Sequence, residues 1–255
     1  MCGASAVLAL GLVLSGCTFA GNATTSKPTS SAPSPAASPT PQPAAEAPAL
    51  EVGTIVATGR LVGNDVISGD VEVRVTGNGT FEVRLIDFRS EHNGDVELRV
   101  SPHVVEPGSE CTSSIMAVSY GHLAETHPNF ALLRDFTHGD PSFLDTVIIT
   151  HRDPAAIDDG CVIPVLSSAV LTWTLPDMRP GLVVHDSGRT GGASGIVTIV
   201  DGEPRNYTVA PDDLIVEVTA RLGITVDDLF YLNPTTLGSH ELRAGDVLNL
   251  SKAHR

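Results

Sequence analysis

Val71-Glu-Val-Arg-Val75, then Gly77-Asn-Gly79, then Phe81-Glu-Val-Arg-Leu85 follow one another with a single threonine on either side of the turn. In both runs apolar residues alternate with Glu and Arg, a period of two that puts one set on each face of a strand. Asn-Gly between two such runs is the strongest short-range signal for a β-hairpin. The stretch therefore predicts an antiparallel strand pair, and everything around it is read for further strands.

A third run, Val96-Glu-Leu-Arg-Val100, comes after His92-Asn-Gly-Asp95. Runs rich in β-branched residues recur from Ile115 to Tyr120, Thr146 to Thr150 and Val165 to Leu175. With one short helical turn expected around Phe130 to Phe136, these runs give an antiparallel β-sandwich or barrel over residues 50–176. Trp173, the only tryptophan, is expected in its core.

After Pro180 the stretch Ser187-Gly-Arg-Thr-Gly-Gly-Ala-Ser-Gly195 reads as a loop, so residues 177–205 are expected to be a linker in which Ile196 to Val200 form a short strand. From Asn206 the texture changes to strand, two helices and strand. Tyr207-Thr-Val209 is extended. Asp212 or Asp213 is placed to cap a helix that aligns Ile215, Val218, Thr219 and Leu222 and closes at Gly223. Thr225 caps a second helix, with Asp227 and Asp228 in its first turn and Leu229 and Leu232 facing inward. Asn233-Pro234 stops it, and Val247 to Leu250 is the closing strand. The whole chain is thus expected to be α+β: an antiparallel β-sandwich followed by a small βααβ unit.

At the other end, Ala4 to Leu14 is an apolar run of the length of a secretory signal, too short to cross a bilayer as a helix. It ends in Leu14-Ser-Gly-Cys17, which resembles the lipobox of bacterial lipoproteins. The resemblance implies cleavage before Cys17, a diacylglycerol on its thiol and often a further acyl chain, such as palmitate, on its amine. Each buried methylene adds about 0.8 kcal/mol to membrane binding. No Lys or Arg precedes the run, so the true start is expected upstream of Met1, with Cys2 in the discarded signal. Residues 18–49 are Ser, Thr, Pro and Ala with Lys27 and Glu46 as the only charges, too poor in apolar surface to offset the cost of ordering. They are expected to be a disordered tether.

The net charge of −15 argues against binding of nucleic acid through a basic patch. Of the four cysteines, Cys111 and Cys161 remain once Cys2 and Cys17 are assigned. In an oxidising compartment a lone pair most simply forms one disulfide, with a redox-active pair as the alternative. Closing a loop of about fifty residues would stabilise by about 4 kcal/mol in the chain-entropy description. His122 and His127, as His-x4-His, do not share a helix face as i, i+4 residues do, and no Glu stands where a zincin needs its base, so no metal site is expected. His92, His103, His138 and His151 read as surface histidines. No Gly-x-Ser-x-Gly elbow or catalytic-cysteine context occurs, and Asp158-Asp159 reads as a solvated loop pair, so no catalytic residue and no cofactor is expected.

Residues 206–251 resemble a LysM domain. The resemblance rests on Tyr207-Thr-Val209 before Pro211-Asp-Asp213, Ala220-Arg-Leu-Gly-Ile224, Asp228-Leu229 with Leu232-Asn-Pro234, and Leu242-Arg-Ala-Gly-Asp-Val-Leu248, in family order. It implies binding of N-acetylglucosamine-containing glycans such as peptidoglycan, in a shallow groove between two loops. Here those loops hold Pro211, Asp212, Asp213, Leu214 and Ile215, and Asn233, Pro234, Thr235, Thr236 and Leu237. Backbone amides would meet the N-acetyl groups, with apolar side chains under the sugar rings. The chain departs from the family at Asp212-Asp-Leu-Ile215, where Gly-Asp-Thr-Leu is usual, losing a glycine that turns the loop and a hydroxyl that could bond the sugar.

Over residues 50–176, Gly59-Arg-Leu-Val-Gly63, Ile67-Ser-Gly-Asp-Val71, Leu85-Ile-Asp-Phe88 with Asn93-Gly-Asp95, and Asp145-Thr-Val-Ile-Ile149 before Ala169-Val-Leu171 resemble the DM13 domain, an extracellular β-sandwich for which a redox role has been proposed. Taken together, the expectation is an extracytoplasmic protein, held to the cell membrane by lipid, facing the wall and binding peptidoglycan, and not an enzyme. Its partners would be the membrane, through the lipid, and glycan strands. The alternative is a redox or hydrolytic β-domain enzyme that a degenerate LysM scaffold merely localises. The sequence points to no protein partner.

Overall fold

The computed structural model describes residues 47–63, 66–92, 95–107, 117–123, 129–151, 164–236 and 241–255. The hairpin is the longest pairing: β3 (Ile67–Gly77) runs antiparallel to β4 (Thr80–Ser90), with Val71 opposite Leu85, Val73 opposite Val83 and Val75 opposite Phe81. The alternation works as its period demands. Val71, Val73, Val75, Phe81, Val83 and Leu85 are buried, while Glu72, Arg74, Glu82 and Arg84 between them stay partly exposed. The turn is not a primed two-residue turn, because only Gly79 of the Asn78-Gly79 pair takes a positive φ (65°) and the register slips between Val75 and Gly77.

Around the hairpin, β1 (Ile55–Arg60), β7 (Asn129–Leu132) and β10 (Thr172–Trp173) complete a five-stranded sheet in the order β10-β1-β3-β4-β7. A second sheet has the order β2-β9-β8-β5-β6, from β2 (Val62–Gly63), β5 (Val96–Ser101), β6 (Val118–His122), β8 (Thr146–His151) and β9 (Val165–Val170). All pairings in both sheets are antiparallel. Residues of both sheets, Val73 and Val83 from one and Leu98 and Ile149 from the other, share one apolar cluster. The central strand β8 is buried on both faces, since Ile148 packs away from that cluster against Val105 and Val165. This explains why Val147-Ile-Ile149 reads as a continuous apolar run.

The two sheets are laced by strands that change allegiance. β1 hands over to β2 at Leu61, and β9 hands over to β10 at Leu171, whose N–H bonds Asp145 O at 2.8 Å. At the first crossing the chains lie so close that a Cβ on Gly63 would sit 2.4 Å from Leu166 O, and one on Gly59 2.8 Å from Val170 O. The two glycines of the 59–63 motif are therefore steric requirements of the crossing. Trp173 is partly buried against the core and donates its Nε1–H to Leu144 O at 2.7 Å. The helical turn expected at 130–136 is shifted: Phe130 lies in β7, paired with Val83, and α1 spans only Arg134–Thr137.

The C-terminal part is a three-stranded antiparallel sheet, β11 (Ile196–Val200), β12 (Glu203–Thr208) and β13 (Val247–Asn249), with α2 (Ile215–Leu222) and α3 (Val226–Leu232) between β12 and β13. Val218 and Leu222 of α2 and Leu229 of α3 are fully buried with Tyr207 and Leu248. Gly223, at φ 68°, ends α2. Thr225 and Asp228 form the reciprocal capping box of α3. At its other end the Asn233 amide donates to Leu229 O and Asn249 O, both at 2.9 Å, and accepts from Asn249 N at 2.7 Å.

The stretch 177–205, expected to be a linker, is built into the fold. β11 pairs with β12 along its length, Ala193 is fully buried in the C-terminal core, and Val184 packs against it. Arg179 binds both Asp227 and Asp228 and donates to His138 O at 3.1 Å, with its guanidinium 4.8 Å from the Tyr231 ring centroid. Arg255 pairs with buried Asp140 at 2.7 Å, donates to Tyr231 O at 2.8 Å and lies 4.0 Å from the Tyr231 ring centroid. His138 stacks on Phe230 with centroids 5.3 Å apart. The two parts thus meet through charge-assisted bonds, of which the Arg255–Asp140 pair is buried.

Candidate functional site

The loop between β12 and α2 is organised around one carboxylate. Asp213 Oδ2 accepts from Tyr207 OH at 2.7 Å and Ala210 N at 2.8 Å, and Oδ1 accepts from Ser194 N at 2.7 Å and Ser194 Oγ at 3.3 Å. Burial alone would raise its pKa, but these donors outweigh it and hold the carboxyl below the usual carboxylate range. Burial and the Asp213 charge together push the Tyr207 hydroxyl up to about 12. Neither Asp212 nor Asp213 caps α2 as expected. The N-cap is Leu214, with no side-chain cap bond, and its N–H donates to Gly192 O at 2.7 Å. Asp213 is drawn away because it satisfies four donors, from Ser194, Tyr207 and Ala210, rather than one at the helix end.

A second charged group fastens the turn 190–195 to this loop. The Arg221 guanidinium, buried at 4 % exposure, grips Asp186 through Nε at 2.7 Å and Nη2 at 3.0 Å. Its Nη1 donates to Ala193 O and Gly195 O, both at 2.9 Å. The arginine holds Asp186 below the ordinary carboxylate range, with its hydrogen bond the leading cause. Ser194, Gly192 and Arg221, which sequence spacing did not single out, thereby shape the loop. Their only sequence trace is the small-residue run Gly191-Gly-Ala-Ser-Gly195.

Asp212 occupies the left-handed region at φ 65°. An L-residue is strained there, although Asp tolerates it better than most. Asp212→Gly is expected to raise the unfolding free energy by about 0.5–1 kcal/mol, read from the urea midpoint.

Of the expected glycan-binding residues, Pro211, Asp212, Leu214, Thr235 and Thr236 are exposed, Ile215 and Pro234 are half-buried, and Asp213 and Asn233 are buried with their polar atoms taken up internally. Val209 exchanges backbone bonds with Gly245 and Asp246, just before β13, whereas Asn233 is tied to Asn249 at the strand's end, about 10 Å along. The first loop therefore sits beside the turn 243–246. Leu237 lies outside the described residues, as do Cys17, Cys111, Cys161 and the tether up to residue 46.

No family model, curated protein or solved structure matches this chain. Among the described residues, no helix is long and apolar enough to cross a membrane, and no three His, Cys, Asp or Glu residues are grouped to hold a metal ion.

Two further places carry polar chemistry. A cavity of about 310 Å³ lies where the two parts meet, lined by Asp140, Phe143, Asp177, Tyr231, Lys252 and Arg255. Its charges are already matched, Arg255 to Asp140 and Lys252 to Asp177 at 2.6 Å. Elsewhere His92 Nε2 lies 3.0 Å from His151 Nδ1, and burial, then the charge of His151, lowers the His92 pKa. Fifty-nine residues separate these histidines, so no local spacing reveals the pair. His122, weighed with His127 from the sequence, is exposed at the end of β6, and His127 lies outside the described residues.

Proposed function

We propose that this is an exported, lipid-anchored envelope protein in which residues 206–251 act as a LysM module on peptidoglycan, with the two-sheet part as a β-sandwich displayed beside it. The carrying observation is the loop of Asp212 and Asp213. Its backbone makes the left-handed turn that the family takes with glycine, and Asp213 is fully engaged in holding it. The strand-helix-helix-strand order from β12 to β13 supports the same reading. Pro211 and Leu214 offer exposed apolar surface for a sugar ring. The Leu214 N–H is already used by Gly192 O, so the N-acetyl group would be read by other groups of the loop. A weak single site suits a protein held at the membrane by lipid, because tethering raises effective concentration without new contacts.

The test is co-sedimentation of the full chain with protein-free peptidoglycan, beside a variant carrying Asp212→Gly and Leu214→Thr. The natural chain is expected to pellet and the variant to pellet more completely. If both remain in the supernatant, the glycan reading fails.

A further inference from the structure

β11 is an edge strand: it pairs with β12 on one side and with no described residue on the other. Natural sheet edges are kept from pairing with other chains by charge, proline, bulges or brevity. Ile196-Val-Thr-Ile-Val200 has neither charge nor proline, and the irregularity in its pairing falls in β12, where Arg205 has no residue opposite it. Ile196, Ile199 and Val200 are 57 %, 52 % and 41 % exposed, and among the described residues no other edge strand exposes three large apolar side chains. The backbone is as open as the side chains. Leu250 N–H bonds Arg205 O and Val209 N–H bonds Asp246 O, so Arg205, Tyr207 and Val209 turn their backbone groups toward β13. Asn206 and Thr208 turn theirs toward β11, where they face Thr198 and Ile196. Val197 and Ile199 are left with N–H and C=O aimed away from the sheet, and Pro204, opposite Ile199, has no N–H to offer it.

The strand is complementary to itself. Turned about Thr198, it sets Ile196 opposite Val200, Val197 opposite Ile199 and Thr198 opposite its own equivalent. In an antiparallel pair centred there, each Val197–Ile199 pair exchanges both backbone bonds, and Thr198 falls at a closely spaced site without them. Every cross-strand contact is then between β-branched side chains. Charge selects the same arrangement. The chain carries −15, and exposed Asp201 directly follows the strand. Antiparallel pairing sets Asp201 beside Gly195 of the second copy, whereas parallel pairing would set it beside its own equivalent, like charge against like. We infer that β11 is a homodimerisation edge, two copies joining antiparallel about Thr198 into one continuous sheet. A five-residue strand buries less than the about 1,200 Å² of a standard interface, so the association is weak and concentration-dependent. One body then carries two 210–215 loops, and a ligand engaging both is held more firmly than by either alone. The pairing itself does not depend on the glycan reading.

Sedimentation equilibrium of the full chain from about 1 μM to about 500 μM is expected to show monomer giving way to dimer. Thr198→Lys and Thr198→Glu each put like charges across the axis and should weaken association about tenfold or more, while an equimolar mixture of the two recovers it as a heterodimer. Ile199→Pro removes an outward N–H without touching the bonds to β12 and should weaken association as well. Thr198→Cys should cross-link under mild oxidation, because Cα atoms at such a site are about 4.5 Å apart, and mass mapping should find the disulfide between the two introduced thiols. Circular dichroism checks each variant's fold. Should Ile199→Pro fail to fold, Thr198→Lys and Thr198→Glu decide, since Thr198 is exposed. A monomer at every concentration overturns the proposal and leaves the edge to an extended segment of another protein. Association that Thr198→Lys leaves unchanged, or Lys and Glu variants that fail to recombine, overturns it too.

Discussion

Arg221→Met should lower the unfolding free energy by about 2–3 kcal/mol, because the buried carbonyls of Ala193 and Gly195 lose their charged donor while exposed Asp186 keeps its solvent. The methionine fills much of the volume, so the loss is electrostatic rather than steric. Asp186 loses a bidentate cation, and the carbonyls of Ala193 and Gly195 lose their donor. Both carbonyls belong to the turn that packs over the start of α2. The result is checked by guanidinium unfolding, where the midpoint should fall with little change in slope. A domain of this size is stable by only about 5–15 kcal/mol, so the effect is a large share of the total.

Asp213→Ala is expected to cost about 3 kcal/mol, because Tyr207 OH, Ala210 N and Ser194 N all lose the buried carboxylate that accepts from them. Asp213→Asn keeps one acceptor oxygen and should cost less. The same group gives the protein a two-sided pH dependence. Asp213 and Asp186 have folded-state pKa values below the ordinary value near 3.9, so their stabilisation is full above it and is lost as pH falls through the lowered values. Tyr207 is raised from 10 to about 12, so its contribution is full below pH 10 and is lost as pH rises toward 12. Urea midpoints measured across pH should drop at both ends in the natural protein, and Asp213→Ala should flatten both limbs. Arg221 and Asp213 both fasten the segment from Ala193 to Gly195, so the double variant should lose less than the sum of the single losses.

What could be read from the sequence was whatever local periodicity determines. The 71–85 hairpin was legible because its valines face one side and its Glu and Arg the other. The cap of α3 was legible because Thr225 and Asp228 are three residues apart and their capping bonds close within one turn. What was hidden depends on distant segments. Nothing local tells that Leu171 marks a change of sheet, since the run from Val165 to Leu175 looks uniform. Asp213 was read as a helix cap because capping is the commonest local use of such a residue, and its actual donors at Ser194 and Tyr207 come from elsewhere. The segment 177–205 looked like a linker because it is rich in glycine and serine, yet small residues are what allow Gly195 to pass beneath the Tyr207 hydroxyl.

The lacing of the two sheets also dictates an order of events. β1 has β3 on one side and β10 on the other, and among the described residues β2 pairs only with β9. A chain emerging residue by residue possesses the 67–90 hairpin early, but it cannot seal the outer edge of β1 until Thr172 and Trp173 arrive. Such non-local closure belongs to chains that fold over about milliseconds to seconds rather than microseconds. Until the last crossing is made, the nascent body carries open strand edges of the kind that recruit foreign strands, and any nascent chain halted before residue 173 would keep them.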